Sequence, residues 1–391
     1  MKRRLGVVSS ALVLLSCAHP RPVPPITAQQ QSYGRFQPVV DYLRSQVDSA
    51  FPGAVVAVGY HDRLVLLAAV GHYAANDRRP VTTQTIYDLA SLTKVIALTT
   101  ECILLVDRGK LDLDAPVQRY LPEFRGPMKD QVTIRHLLTH SAGLAADLPL
   151  FDATRTRAAA LAMVDTSPLL SPPGTQFVYS DLSAIVLMQV VERITGRPFD
   201  QVLAADVFGP LGMTATRFVP PASWHDRIAP TEVDTVFRNR LLIGEVHDES
   251  AARLGGVSGN AGLFSNAPDL ARFAQWLLDA RAARLPPSSA LPRPAPPVVL
   301  QFTTRQNIPP GSSRALGWDT PSDHSSAGTK MGPNAFGHTG YTGTSIWFDP
   351  DRDVYIILLT NRVNPTRANI KILQVRPRVA DLVNDAFTPP P

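Results

Sequence analysis

The sequence predicts a mixed α/β fold in which both ends of the chain contribute strands to one antiparallel sheet. Two strand-like runs, Gly53–Tyr60 and 63–71, lie near the start of the chain. Two more, at 344–348 and Val354–Thr360, lie near its end and are joined by the tight turn Asp-Pro-Asp-Arg-Asp. Between these pairs, residues 108–235 have a mainly helical pattern with turn signals. We therefore expect helices to flank the sheet and a helical lobe to be inserted between its two halves.

The composition is that of a globular protein with a sizeable core. Of the 391 residues, 45% are hydrophobic and 18% are charged, which excludes a disordered polymer and a fibrous repeat. The length suffices for one large two-lobed domain, which we place at residues 37–387. Aromatic residues make up only 7%, and no basic cluster follows the first four residues, so nucleic-acid binding is not expected.

The N-terminus has the features of an exported protein. Three basic residues follow Met1, and the apolar stretch at 5–15 is too short to span a bilayer, so residues 1–16 are predicted to be a signal peptide. The stretch ends in Leu-Leu-Ser followed by Cys17, which resembles the lipobox of bacterial lipoproteins, whose cysteine carries the lipid. An ordinary signal peptide is the alternative. Residues 17–36, rich in proline and glutamine, are expected to form a flexible tether that leaves the protein on the periplasmic side of a membrane.

Apolar spacing places the other elements in order along the chain. A first helix is predicted from Val39 to Val47, and strands and helices then alternate with loops. Pro-rich residues 285–297 are predicted to be a surface loop. The apolar stripes of the helices indicate core rather than cofactor contacts. The later helices are predicted at 91–106, 183–195, 268–279 and 369–386.

Ser91 and Lys94 are the first pair of residues that could carry chemistry. They stand three positions apart at the predicted start of a helix, so the hydroxyl and the amine share one face. Amides at a helix N-terminus are free to donate, and the positive field there favours negative charge. A serine nucleophile needs a nearby base and an amide aimed at the developing oxyanion. The pair alone is a weak indication, because Ser-x-x-Lys also occurs by chance.

Two later segments strengthen this interpretation. Pro-Gly-Thr-Gln-Phe-Val-Tyr-Ser-Asp at 173–181 places Tyr179 after a turn and just before a helix. His-Thr-Gly-Tyr-Thr-Gly at 338–343 directly precedes a predicted strand, and its glycines permit close backbone approach. In order and spacing, the three segments match Ser-x-x-Lys, Tyr-x-Asn and Lys-Thr-Gly of penicillin-recognising serine hydrolases. The chain therefore resembles the class C β-lactamase-like family, which also contains DD-peptidases, esterases and D-aminopeptidases.

The resemblance covers about residues 37–365 and rests on further segments. His-Leu-Leu-Thr-His-Ser-Ala-Gly-Leu at 136–144 is similar to a family stretch, and so are the segments at 208–213, 260–265 and 315–318. It implies a β-lactamase/transpeptidase-like fold and a lipoprotein-like branch of the family.

The resemblance also implies roles for individual residues. Ser91 would be the nucleophile, and Lys94 and Tyr179 would share the proton transfers. The N–H groups of Ser91 and Tyr341 would form the oxyanion hole, where one donor contributes roughly 3 kcal/mol to lowering the barrier. Water would hydrolyse the acyl-enzyme, so neither a metal nor a cofactor is expected. The residues that would contact substrate are Asp181, His338, Thr339 and Gly340.

Two of these residues depart from the family pattern. Asp181 replaces the expected asparagine, and an ionised aspartate accepts hydrogen bonds but cannot donate them. Beside Lys94 it would hold the amine protonated, which favours Tyr179 as the working base. His338 replaces the expected lysine and is mostly neutral at pH 7, so it would hold a substrate carboxylate less firmly. Both changes argue against efficient turnover of β-lactams.

Other polar residues are less strongly indicated as functional-site residues. His136 and His140 have i, i+4 spacing but lack the glutamate of His-Glu-x-x-His, so metal binding is not expected. His247 lies in a His-Asp-Glu segment, where a structural role is favoured over substrate contact. Arg362 is a candidate for the positive charge that His338 lacks, although a solvated surface arginine is an equal alternative.

The preferred function is a serine hydrolase of DD-peptidase type that acts on peptides derived from peptidoglycan. A carboxylesterase is the nearest alternative, because a weakened carboxylate clamp would admit neutral esters. A class C-type β-lactamase comes next. A penicillin-binding sensor in which Ser91 is acylated without turnover is the alternative outside the enzymes. An α/β-hydrolase is disfavoured, because the chain has no Gly-x-Ser-x-Gly segment.

Overall fold

The computed structural model describes residues 33–323 and 325–387. The predicted signal peptide, Cys17 and most of the predicted tether lie outside the described residues. Within the described part of the chain, no helix combines the length and the apolar character needed to cross a membrane.

A six-stranded antiparallel sheet is built from both ends of the chain, as the sequence predicts. The central pair joins the N-terminal and C-terminal halves, with Val56 opposite Leu358. In sequence order the strands are β1 (Gly53–Tyr60), β2 (Arg63–Ala74), β3 (Asp77–Pro80), β4 (Tyr87–Asp88), β5 (Arg217–Phe218), β6 (Val233–Asp234), β7 (Arg240–Leu241), β8 (Leu263–Ser265), β9 (Phe336–Thr339), β10 (Ser345–Asp349) and β11 (Val354–Thr360). The main sheet has the order β3-β2-β1-β11-β10-β9, and the short strands form a three-stranded sheet, β4-β8-β5, and a pair, β6-β7.

Helices flank the main sheet, and many of them lie in the stretch between β3 and β9. The α-helices are α1 (Gln37–Gln46), α2 (Thr100–Asp107), α3 (Ile134–Leu138), α4 (Leu150–Ala153), α5 (Arg157–Thr166), α6 (Asp181–Thr195), α7 (Phe199–Leu203), α8 (Glu249–Arg253), α9 (Ala267–Arg281), α10 (Pro296–Thr303) and α11 (Ile372–Phe387). The antiparallel sheet and its flanking helices confirm the predicted fold class.

The central strands are apolar throughout because both of their faces are covered. Val56 and Val58 of β1 pack with α1 and α11 in one core. Val55 and Ala57 point to the opposite face, into a larger core that contains α2, α6 and α9. Successive residues of a strand point to opposite faces, so one unbroken apolar run supplies both cores.

Several boundaries differ from the predicted ones. The helix that contains Lys94 is not uniform: a 3₁₀ turn at Ala90–Leu92 leads into a π-helical segment at Lys94–Thr99 and then into α2. Helix α1 ends before Val47, which forms an isolated bridge instead. The Pro-rich loop is shorter than predicted, because prolines suit the first turn of α10. The segment at 338–343 precedes strand β10, as predicted, but its first two residues also form the end of β9, whose four residues are too few to show alternation.

Candidate active site

A cavity of about 420 Å³ lies where the start of the Ser91 helix meets the edge strand β9 and helix α11. The residues predicted from sequence that line it are Ser91, Tyr179, His338, Thr339, Gly340, Tyr341 and Arg362. Three segments separated by about 90 and 160 residues therefore meet at one pocket, as their family-like spacing predicts. Lys94 and Asp181 do not line the cavity and form an ion pair with each other.

The backbone just before Ser91 is held in an uncommon conformation. Ala90 has a φ of 46°, in the left-handed region that residues with a side chain rarely adopt. The Asp88 carboxylate stabilises this turn, because its Oδ1 accepts the Ala90 N–H at 2.8 Å. Burial raises the pKa of Asp88, although the backbone N–H groups of His247 and Ala90 oppose that shift. Strain of this kind is found where surrounding structure enforces a functional geometry.

Lys94 is buried, and its ammonium group contacts three acceptors. Its Nζ donates to Ser91 Oγ at 3.0 Å and to the Asn260 carbonyl at 3.0 Å. Asp181 Oδ1 lies 2.6 Å from the same nitrogen. Burial by itself lowers the pKa of Lys94, but the negative charge of Asp181 and a smaller contribution from Tyr179 outweigh it and raise that pKa above its usual value. These surroundings favour the charged form of Lys94, which donates a hydrogen bond to the nucleophile.

An extended polar network lies behind the lysine. Asn260 Nδ2 donates to Asp248 Oδ1 at 3.1 Å, and the same oxygen caps helix α8 through the Ala251 N–H at 2.7 Å. Burial, with the nearby charge of Asp181, raises the pKa of Asp248. Sequence reasoning missed Asn260 as a site residue, because its contact to Lys94 uses a main-chain carbonyl that any residue could supply.

The Tyr179 ring packs against Lys94 on the side opposite the Asn260–Asp248 network. Its ring centroid lies 4.9 Å from Lys94 Nζ and 4.5 Å from the ring of His140. The phenol oxygen is buried, and among the described residues Lys94 is the neighbour with which it shares a hydrogen-bonding interaction. His140 Nδ1 accepts the Ser180 N–H at 3.1 Å, so this histidine supports the segment that carries Tyr179. His136 caps helix α3 separately.

His338 is a buried, neutral imidazole. Its Nδ1 lies 2.8 Å from the Thr339 carbonyl, which can only accept, so Nδ1 carries the proton and Nε2 is an acceptor. Nε2 is buried and has no partner within the described chain. Burial, followed by the positive charges of Arg314 and Lys94, holds the pKa of His338 well below its usual value. His338 therefore supplies no positive charge to the pocket at neutral pH.

The loop after β9 provides the second predicted oxyanion donor. Neither the Ser91 nor the Tyr341 N–H donates to another described backbone group. Thr344 Oγ1 donates to the Leu89 carbonyl at 3.0 Å, which ties the loop to the turn before Ser91. A Cβ on Gly340 would lie 2.3 Å from that same carbonyl, so the close approach of the two segments requires glycine.

Arg362 and His247 both have hydrogen-bond partners within the protein. Arg362 lines the pocket, but its Nε donates to the Tyr341 carbonyl at 2.8 Å and its Nη1 to two carbonyls of residues 367 and 369. The His247 side chain is buried with its Nε2 2.8 Å from Glu232, in agreement with the structural role that the sequence favours. Both side chains pack on the Tyr341 ring, and this packing supports the loop.

Sequence reasoning missed Arg314, which lines the same cavity. Its guanidinium carbon lies 5.3 Å from the ring centroids of both Phe177 and Tyr179. The residue precedes a segment that was matched to the family, but no motif contains it. Within the described residues, no group of His, Cys, Asp and Glu side chains has an arrangement that could hold a metal ion.

The sequence profile of the Beta-lactamase family matches residues 37–378. The chain belongs to the β-lactamase family. A protein of Salmonella agona (strain SL483), named "Putative D-alanyl-D-alanine carboxypeptidase", is 32% identical over 372 residues, which cover 85% of this chain and 83% of that protein. Relatives of this β-lactamase-family protein in other Salmonella strains carry the same name.

Solved structures share the fold of this β-lactamase-family protein. A penicillin-binding protein homologue from Caulobacter crescentus superposes with a TM-score of 0.72 at 24% identity, over 90% of this chain and 98% of its own. EstCE1, described as a hydrolase with promiscuous acyltransferase activity, superposes with a TM-score of 0.71 at 22% identity, over 90% and 99%. Together with the family match, these likenesses identify the chain as a serine hydrolase of β-lactamase-like fold.

Proposed function

We propose that this serine hydrolase is a DD-carboxypeptidase that acts on peptides derived from peptidoglycan, through an acyl-enzyme on Ser91. The observation that carries the proposal is the position of the Lys94 ammonium, 3.0 Å from Ser91 Oγ and paired with Asp181. The Salmonella relatives named as D-alanyl-D-alanine carboxypeptidases support the choice of substrate.

Tyr179 is the proposed general base. A lysine held protonated by Asp181 cannot remove the Ser91 proton, whereas its ammonium stabilises negative charge on Oγ. The Tyr179 oxygen is buried in the same cavity without another partner, and two cations flank its ring. These two positive charges would stabilise the negative charge that the phenol oxygen carries when it exchanges a proton with Ser91.

The acylation step follows from these positions. The Tyr179 phenolate takes the Ser91 proton while Oγ bonds to the substrate carbonyl carbon, and the oxyanion receives the N–H groups of Ser91 and Tyr341. When the intermediate collapses, the carbon–nitrogen bond breaks and Tyr179 gives its proton to the leaving amine. Water then attacks the acyl carbon, Tyr179 takes the water proton, and the ester bond breaks as Ser91 recovers its hydrogen.

A carboxylesterase is the second candidate. The neutral His338 in place of a lysine favours it, because such a pocket lacks one of the positive charges that would select for a carboxylate. Rapid β-lactam turnover and a non-turnover penicillin-binding sensor are lower-ranked alternatives within the same chemistry.

We also propose that the protein is exported and lipidated at Cys17, which would leave the catalytic domain tethered in the bacterial cell envelope. The basic and apolar start of the chain and its lipobox-like ending support this proposal. Expression in a bacterial host followed by mass spectrometry of the mature N-terminus tests it. Cleavage before Cys17 with a diacylglyceryl mass increment is expected, and an unmodified cysteine or an uncleaved leader would contradict it.

The enzyme activity is tested with purified protein and its Ser91→Ala variant. Each is incubated with diacetyl-Lys-D-Ala-D-Ala, with a p-nitrophenyl ester and with a fluorescent penicillin. Ser91-dependent release of D-alanine is the expected result. Ester turnover without D-alanine release would assign the esterase instead, and a stable penicillin adduct without turnover of either substrate would assign the sensor.

A further inference from the structure

The guanidinium group of Arg314 lines the pocket without a hydrogen-bond partner. Its side chain is 12% exposed, and Nε and Nη1 are fully buried and donate to none of the described residues. Asp319 Oδ1 lies 3.9 Å from Nε, beyond hydrogen-bond distance, and already accepts from Ser313 Oγ at 2.7 Å. Because almost all buried donors in proteins are paired, this group indicates a position where a ligand supplies the acceptor.

The positive charge of the cavity is not balanced by its own side chains. Three arginines line it, and Asp319 is the one carboxylate among the lining residues. Arg362 and Arg376 donate to main-chain carbonyls, which carry no net charge, and Arg376 Nε is buried without a partner among the described residues. His338 is neutral. An anionic ligand would therefore complete both the hydrogen bonding and the charge of this pocket.

The position of Arg314 indicates which part of a substrate it would meet. Its guanidinium stacks against the Tyr179 ring, and Tyr179 is the proposed donor of the proton to the leaving atom. A group bound beside Tyr179 therefore belongs to the leaving portion of the substrate. The planar fork of a guanidinium group matches the two oxygens of a carboxylate.

We propose that Arg314 binds the free carboxylate of the leaving group, so that the enzyme selects acyl peptides or acyl esters whose leaving portion is an α-amino acid or an α-hydroxy acid. This inference rests on the proposed function and deepens it. In this role Arg314 replaces the carboxylate-binding charge that His338 lacks and that Arg362, with its donors on carbonyls, does not supply.

Two matched esters test the proposal. Phenylacetylglycyl-D-lactate and phenylacetylglycyl-D-lactamide share the acyl group. The leaving group of the first carries a carboxylate, and that of the second carries a neutral carboxamide. Their kcat/KM values are compared for the wild type and for the variants Arg314→Gln, Arg314→Lys and Arg362→Gln. Arg362→Gln is the matched control, because it removes an arginine from the same pocket whose donors are already occupied.

We expect Arg314→Gln to reduce the lactate-to-lactamide ratio of kcat/KM roughly 10- to 100-fold, the range typical of charge-assisted hydrogen bonds. Arg314→Lys should recover part of that ratio, and Arg362→Gln should reduce both substrates in parallel. The thermal midpoint of Arg314→Gln should equal or exceed that of the wild type, because one ion pair at 3.9 Å does not offset the cost of burying a cation whose Nε and Nη1 lack hydrogen bonds. A ratio unchanged by Arg314→Gln, or a parallel loss on both esters with a lowered midpoint, would overturn the proposal.

A separate readout keeps this test independent of the proposed activity. If the wild type hydrolyses neither ester, the proposed function fails, and binding of both esters is then measured by calorimetry on Ser91→Ala and on Ser91→Ala/Arg314→Gln. Tighter binding of the lactate ester that is lost in the double variant would still support Arg314 as the carboxylate site. Equal affinities in the two variants would overturn it.

Discussion

The two walls of the active-site pocket use buried polar groups in opposite ways. On one wall, just behind the lining residues, the Lys94 ammonium contacts Ser91, Asp181 and the Asn260 carbonyl, so its charge and its donors are matched. On the other, the His338 Nε2 and the Arg314 Nε and Nη1 are buried without hydrogen-bond partners among the described residues, and the buried Tyr179 hydroxyl has only Lys94 beside it.

This difference in pairing gives the two walls different roles. A paired wall fixes one protonation state and one geometry before substrate arrives, which is what electrostatic preorganisation requires. The unpaired wall lowers the free energy of unfolding, because each unsatisfied buried polar group costs about 1–3 kcal/mol. Such groups are available to bind substrate or to move a proton, and they are therefore the positions where single substitutions should affect chemistry more than folding.

Tyr179→Phe should have the largest effect, because it removes the proposed proton carrier and leaves the paired wall intact. We expect kcat to fall by about 10²- to 10⁴-fold, the usual range for a general acid–base group. Turnover of the preferred ester or peptide is the measurement. Tyr87→Phe is the matched control, since that hydroxyl is also buried and unpartnered but lies outside the pocket. Equal losses of kcat in Tyr179→Phe and Tyr87→Phe would contradict a special role for the unpaired groups of the pocket.

Asp181→Asn should alter the paired wall by removing its negative charge. Burial of Lys94 is then no longer offset, so the pKa of the lysine should fall from its raised value. Activity that depends on the ammonium group should therefore decline at a lower pH than in the wild type as the lysine loses its proton. We expect about a 10-fold loss at pH 8 and a smaller loss at pH 6. A pH profile parallel to that of the wild type would contradict the proposed role of Asp181.

Glu101 offers a smaller test outside the pocket, on the same helical segment as Lys94. It is fully buried, and neither oxygen has a hydrogen-bond partner among the described residues, so burial raises its pKa to about 8. The carboxyl stays protonated in the folded state while it ionises in the unfolded state above about pH 4.5. The wild type should thus lose stability relative to Glu101→Gln as pH rises from about 4.5 to 8, by roughly 2–4 kcal/mol.

Thermal or denaturant unfolding of both proteins at pH 5 and pH 8 measures this difference, and catalytic activity should be nearly the same in the two. A constant stability difference across that pH range would mean that Glu101 has a partner or an ordinary pKa.

The sequence predicted the residues of both walls that stand in motifs and missed those that do not. Ser91, Lys94 and Asp181 of the paired wall and Tyr179 and His338 of the unpaired wall lie in short motifs at fixed spacing, and the strands that carry the fold have long apolar runs, so local patterns suffice for these features. Arg314 has no motif, and its importance depends on which partners it lacks, a property that exists only in three dimensions. Arg362 is the opposite case. The sequence made it a candidate for a positive charge available to substrate, but in the fold its guanidinium donates to main-chain carbonyls.

Several backbone features also could not be predicted from the sequence. The left-handed Ala90 is stabilised by the Asp88 carboxylate two residues before it, and the apolar spacing of this segment indicates neither that conformation nor the π-helical turn at Lys94–Thr99. Strand β9 was missed for a related reason, since a four-residue edge strand is specified by its pairing with β10 rather than by its own pattern.

The central claim is that Asp181 keeps Lys94 protonated, so that Tyr179 carries the proton. The most direct test is an NMR titration of the Lys94 ammonium in protein labelled with ¹³C and ¹⁵N at lysine, assigned by comparison with Lys94→Arg. The account predicts that Lys94 remains charged up to at least about pH 10, at or above the ordinary range for lysine. A Lys94 that loses its proton below pH 8 would contradict the claim and make the lysine the general base.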